Sequence, residues 1–76
     1  MQPSWRPAAR QLGRTIAKLR KERGLTQEQV LERLADKDIE NYRKLETGRR
    51  NATLATLVKL AAALDVPLSV LFADVE

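Results

Sequence analysis

The groups in this chain that could act on another molecule are mostly cationic, and their spacing is uneven. Arg6, Arg10, Arg14, Lys18, Arg20, Lys21 and Arg23 stand against Glu22 alone, so residues 6–23 carry a local charge of +6. Arg49, Arg50 and Lys59 give residues 47–60 a charge of +3. Between them residues 24–46 carry −2, and residues 61–76 carry −3, so the net charge is only +4 from 14 basic and 10 acidic groups. Two basic segments that converge in space would attract a polyanion. Alternatively they form a solvated helix face that keeps the chain dissolved.

Composition removes most other chemistry. With no Cys there are no disulfides, thiolate nucleophiles or Cys-ligated metals. With no His there is no imidazole for acid–base work, and the usual zinc ligands are missing. No base and nucleophile pair suited to a small hydrolase is available, so the reading is not an enzyme, without cofactor or metal. Trp5, Tyr42 and Phe72 are the only aromatics, too few for a stacking platform for single strands. A chain of 76 residues buries only about 60–65% of its unfolded surface, which leaves little room for a deep pocket, and no small-molecule ligand is expected. The longest apolar run, Leu60–Leu64, is five residues, against roughly 20 for a membrane span. No apolar segment follows Arg6 and Arg10 near the N-terminus, so no secretory signal is read there. These absences fit a cytoplasmic protein with no membrane partner.

The elements that must position the basic groups are all helical, with no period-2 alternation and no internal repeat. Ala9, Leu12, Ile16 and Leu19 recur at helical spacing after Pro7, and Gly24 ends this first helix. Thr26 is an N-cap with Gln29 three residues on, a capping box, and Leu25 with Val30 can form a hydrophobic staple. Val30, Leu31 and Leu34 give the buried face of the second helix. After Ala35-Asp36-Lys37-Asp38, either Asp36 or Asp38 caps a third helix with apolar side Ile39, Tyr42 and Leu45, closed by Gly48. Asn51 or Thr53 caps a fourth, whose apolar positions are Leu54, Leu57, Val58, Ala61 and Leu64. Pro67 opens a last short helix with Leu68, Leu71 and Phe72. The expectation is one all-α, compact five-helix bundle: an arm over 1–8, a domain over 9–73 and a tail over 74–76.

Two short helices joined by a tight turn, the second followed by Glu46-Thr47-Gly48 and a basic loop, form a helix-turn-helix layout. Residues 12–72 resemble the phage-repressor and Cro type of this domain (XRE-like, lambda-repressor-like). Three pieces in order carry the resemblance: Leu19-Arg20-Lys21-Glu22-Arg23-Gly24-Leu25-Thr26-Gln27-Glu28-Gln29, Leu45-Glu46-Thr47-Gly48-Arg49-Arg50-Asn51, and the stretch from Leu54 to Leu68. The Arg50-Asn51 pair before the fourth helix also resembles controller proteins of restriction–modification systems.

The resemblance implies that the third helix reads double-stranded DNA in the major groove. Its outward positions Glu40, Asn41, Arg43 and Lys44 are then candidate readers: Arg43 and Lys44 for guanine, Asn41 for adenine or a phosphate, Glu40 for a cytosine amino group. Gln27, at the start of the second helix, is placed to meet a phosphate, and Thr26 either caps only or helps it. Lys37 in the turn joins them, and Arg49, Arg50 and Asn51 would grip backbone phosphates. Arg20 and Glu46 are implied to be a structural ion pair rather than base contacts. The chain departs from the family in its turn, which is one residue longer and lacks the usual Gly, so the start of helix 3 shifts. Ile39 therefore falls where a base reader is usual, and is either core or a contact to a thymine methyl. Asp36, Asp38 and Glu40 bring three acidic groups towards the expected DNA face.

Such domains usually bind symmetric sites as homodimers. Val70, Phe72 and Val75 offer a two-fold interface, unless Phe72 plugs the base of the domain instead; Trp5 has no place assigned. The function expected is a sequence-specific transcription regulator such as a repressor, with no effector domain of its own. The alternative is a protein-interaction module, an antitoxin or adaptor, that keeps the fold.

Overall fold

A computed structural model describes residues 4–75, and Met1–Pro3 and Glu76 lie outside the described residues. Its helices are α1 Arg6–Glu22, α2 Gln27–Arg33, α3 Ile39–Glu46, α4 Leu54–Ala63 and α5 Leu68–Leu71, with no strand among the described residues. Pro7 sits in the first turn of α1, where its missing N–H costs nothing, so residues 6–8 are helix rather than arm.

Local chemistry sets the boundaries. The Thr26 hydroxyl accepts from the Gln29 N–H at 3.1 Å while the Thr26 N–H donates to Gln29 Oε1 at 2.8 Å, the reciprocal capping box. Asp38, not Asp36, caps α3, accepting from the Asn41 N–H at 3.1 Å. Thr53, not Asn51, caps α4, accepting from the Thr56 N–H at 3.2 Å.

The first four helices all end in the same motif. The residue after the cap turns left-handed, and its N–H and the next close two bonds back onto the last turn. The left-handed residues are Gly24, Ala35, Gly48 and Asp65, at φ of 66°, 55°, 73° and 56°. After α2, for example, Ala35 and Asp36 donate to the carbonyls of Glu32 and Leu31 at 3.0 and 3.2 Å. Ala35 does the work of the missing turn glycine. Asp36 then absorbs the extra residue: its Oδ1 accepts the backbone N–H groups of Lys37 and Asp38 at 2.7 and 3.2 Å.

The core joins Ile16 and Leu19 of α1, Val30 and Leu31 of α2, Tyr42 and Leu45 of α3, Leu57, Leu60, Ala61 and Leu64 around α4, and Leu71 of α5. Leu12, Leu34, Ile39 and Leu68 are partly buried against it. Ile39 is thus a core side chain. The α4 face needs correction: Leu54 and Val58 are 66% and 50% exposed, and Leu60 is fully buried in their stead. Helix α4 is apolar on nearly every side, so several stripes fit helical spacing, and packing against α2 and α5 selects the one through Leu57, Leu60, Ala61 and Leu64.

Two glycines set how closely α1 approaches the end of α3. A Cβ on the buried Gly13 would collide with the Glu46 carbonyl and come within 2.6 Å of the Leu45 carbonyl oxygen. A Cβ on Gly48 would lie 2.6 Å from the Arg10 Cα. The backbones touch at both points, and α3 is held against α1 without intervening side chains.

Candidate nucleic-acid interface

Helix α3 packs on α1 and α2 and turns its remaining side outward. Tyr42 and Leu45 anchor it in the core, which leaves Glu40, Arg43 and Lys44 exposed and Asn41 half-buried. The Asp38 carboxylate and the Glu40 charge sit at its positive end.

Beneath this row is a polar network centred on Glu46. Its carboxylate accepts four hydrogen bonds: from Arg20 Nε at 2.8 Å and Nη2 at 3.2 Å, from the Tyr42 hydroxyl at 2.5 Å, and from Gln27 Nε2 at 3.0 Å. Arg20 Nη1 also donates to the Leu25 carbonyl at 2.9 Å, tying the end of α1 to the start of the helix-turn-helix. The ion pair is largely closed to water, with Arg20 and Glu46 side chains 11% and 6% exposed. Burial pushes the Glu46 carboxyl up, but the bonds from Arg20, Tyr42 and Gln27 outweigh it and hold its pKa below the usual 4.5. Its hydrogen bond to Glu46 raises the Arg20 pKa despite burial. Burial, and then donation to Glu46, push the Tyr42 hydroxyl far above its ordinary value, so it stays a donor.

Gln27 faces two ways. Its amide donates inward to Glu46 and its Oε1 accepts from Arg43 Nε at 3.2 Å. Arg43 also donates from Nη1 to Glu40 Oε1 at 2.6 Å, and its Nη2 lies 3.8 Å from Glu28 Oε1. The three acidic side chains near α3 are therefore engaged within the fold: Asp36 holds the turn, Asp38 caps the helix and Glu40 holds Arg43. Asp36 has a lowered pKa, chiefly because the Asp38 N–H and the Lys37 N–H donate to it, with Arg50 and Lys59 adding attraction.

The structure brings Gln27, Glu40 and Arg43 into one cluster. Lys37, Lys44, Arg49 and Asn51 are exposed, and Arg50 is half-buried. Arg50 and Asn51 border a cavity of about 180 Å³ shared with Trp5, Leu12, Leu57, Phe72 and Val75. The C-terminal trio is divided: Val70 packs against the core, whereas Phe72 and Val75 line that cavity and Phe72 stays partly exposed.

Sequence reasoning passed over four contributors. Glu28 carries no role of its own in the sequence pattern, and Tyr42 stands there only as core. The contact of Arg33 Nη1 with the Ala63 carbonyl at 2.8 Å, a cation on the C-terminal end of α4, needs the fold to be seen. Gly13 did carry a signal, being a glycine inside a helical pattern.

The helix-turn-helix family model matches residues 16–71. The chain belongs to the helix-turn-helix family. It is 42% identical over 65 residues to the control protein C.MunI of Mycoplasma sp, spanning 84% of this chain and 86% of that protein. It is 47% identical over 55 residues to the HTH-type transcriptional regulator y4dJ of Sinorhizobium fredii, spanning 72% and 70%. Its fold matches the crystal structure of the restriction–modification controller protein C.AhdI of Aeromonas hydrophila with a TM-score of 0.80 and 33% identity, over 84% of this chain and 96% of that one. The clp gene regulator ClgR of C. glutamicum has the same fold, with a TM-score of 0.80 at 20% identity over 93% of this chain and 87% of that one. The likeness to controller proteins first read at Arg50-Asn51 thus extends over most of this helix-turn-helix chain. No helix of the described residues is long and apolar enough to cross a membrane.

Proposed function

We propose that this DNA-binding transcription regulator lays α3 in the major groove of a two-fold symmetric site and binds it as a homodimer. The observation that carries the reading is the outward row Glu40, Asn41, Arg43 and Lys44 on a helix pinned from behind by the Glu46 network. Base readout needs such a rigid mount. Lys37, Arg49, Arg50 and Asn51 supply the phosphate contacts, with Gln27 at the start of α2. The protein works by binding alone, without enzyme activity, in the cytoplasm beside its operator. Its likeness to C.MunI and C.AhdI favours control of restriction–modification genes. The exposed Leu54 and Val58, one turn apart on α4, and the partly exposed Phe72 are the apolar surface offered to a dimer.

Selection of binding sites from random duplexes, followed by affinity measurement across salt, tests this. A two-fold symmetric sequence is enriched, and log affinity falls with log salt at about −0.9 per phosphate contact. A flat salt response with no enriched sequence refutes DNA binding and favours the protein-interaction module. A monomer at high micromolar concentration in sedimentation refutes the dimer.

A further inference from the structure

Arg43 and Glu40 do not stand on α3 as two independent side chains. Their 2.6 Å bond joins a cation and an anion on the face proposed to enter the groove. Arg43 remains 46% exposed while its Nε is held by Gln27 Oε1. Gln27 is held by Glu46, and Glu46 by Arg20 and Tyr42. One chain of hydrogen bonds therefore runs from α1 to the guanidinium and fixes where it points. The outer edge of the pair offers N–H donors from Arg43 beside the Glu40 carboxylate, an acceptor.

That edge has a complement in the major groove. A G·C pair presents the guanine N7 and O6 acceptors next to the cytosine N4 amino donor. An A·T pair sets the adenine amino group against the guanidinium donors, and the thymine O4 and methyl against the carboxylate. A phosphate, which only accepts, satisfies Arg43 but is repelled by Glu40. We propose that Arg43 and Glu40 act as one joined reader of a G·C base pair, guanine under Arg43 and the cytosine amino group under Glu40, with Gln27 the residue that positions them. Glu40 has a second effect: it withholds Arg43 from phosphates and so suppresses binding to unrelated DNA. This rests on the major-groove reading above.

The test is site selection from random duplexes with the full chain and with Glu40→Gln, Arg43→Lys and Gln27→Ala, each first shown by circular dichroism to be folded at the assay temperature. The unaltered protein enriches a site with one fixed G·C pair in each half. Glu40→Gln binds random duplex more tightly and lowers the preference for that pair about tenfold, within the usual range for one good base contact. Arg43→Lys, which keeps the charge but loses the fork, lowers the same preference by a similar factor. Gln27→Ala lowers it while leaving discrimination at the other fixed positions of the site in place, which a merely structural loss does not do. A selected site with no fixed G·C pair overturns the joined reader, as does a Glu40→Gln profile identical to that of the unaltered chain. In both cases the DNA-binding reading stands. Absence of any selected site and of salt dependence brings down the DNA-binding reading itself.

Discussion

Replacing Glu46 by Gln tests whether the buried network is what holds the recognition helix in place. Gln has the same shape but offers one acceptor oxygen and one donor group. If its amide nitrogen takes the Oε2 position it meets the Arg20 Nε–H and the Tyr42 hydroxyl; at the Oε1 position it meets the donors of Arg20 Nη2 and Gln27. Either way at least one Arg20 donor loses its acceptor, and a guanidinium that is 11% exposed loses its anion. Breaking a buried pair from one side costs roughly 3–5 kcal/mol. Arg20 keeps its 2.9 Å bond to the Leu25 carbonyl, which places this case near the low end, about 3 kcal/mol. At about 4–8 °C per kcal/mol for a domain of this size, the melting temperature falls by roughly 12–24 °C. Thermal and urea denaturation at pH 7 measure it. The pH dependence gives a second reading. The Glu46 pKa is depressed in the fold, so its stabilisation is complete above the ordinary value of 4.5 and is lost as pH falls through the lower folded value. The stability gap between the two proteins therefore narrows below pH 4.5. A melting temperature within about 4 °C of the unaltered protein at pH 7, the equivalent of 1 kcal/mol or less, refutes the argument.

Three further outcomes follow from the geometry. Gly13→Ala places a methyl group against the Glu46 and Leu45 carbonyls, which cannot rotate aside, and lowers stability by about 3 kcal/mol or prevents folding in chemical denaturation. Ala35→Gly relieves a left-handed alanine and raises stability by about 1 kcal/mol; a loss in the same assay contradicts the role given to Ala35 in the turn. Arg49→Ala and Lys37→Ala each weaken binding to all duplexes alike and reduce the salt slope by about one, read from affinity titrations over a range of salt.

Much of the helical framework was legible because its determinants are local. Thr26 with Gln29, Gly24, Gly48 and Pro7 act through bonds spanning a few residues, and the structure places helix ends beside each of them. Where two local candidates competed, as Asp36 with Asp38 or Asn51 with Thr53, the sequence held both and the backbone direction selected one. Asp36 serves the turn because its neighbours' N–H groups point at it, while Asp38 faces the first turn of α3. The orientation of α4 was not legible. A helix apolar all round carries no phase in its sequence, and only contact with α2 and α5 fixes which stripe is buried and leaves Leu54 and Val58 outside.

The candidate site divides in the same way. The sequence by itself marked a polyanion as the partner its charge suits, since it concentrates its cations in two segments. It also marked the helix-turn-helix, through its layout and its resemblance to the phage-repressor type, and the outward row on α3, through helical spacing. Helical spacing alone sets Glu40 beside Arg43, whereas the mount behind the row was decided by tertiary structure. Gln27 and Arg43 are 16 residues apart, and Arg20 and Glu46 are 26 apart. No periodicity links such positions. They meet because Gly13 and Gly48 let α1 and α3 come into backbone contact, which brings Arg20 to Glu46, while the packing of α2 on α3 brings Gln27 to Arg43. The same packing adds Gln27 to an Arg43 that Glu40, three residues before it on the same helix, already holds.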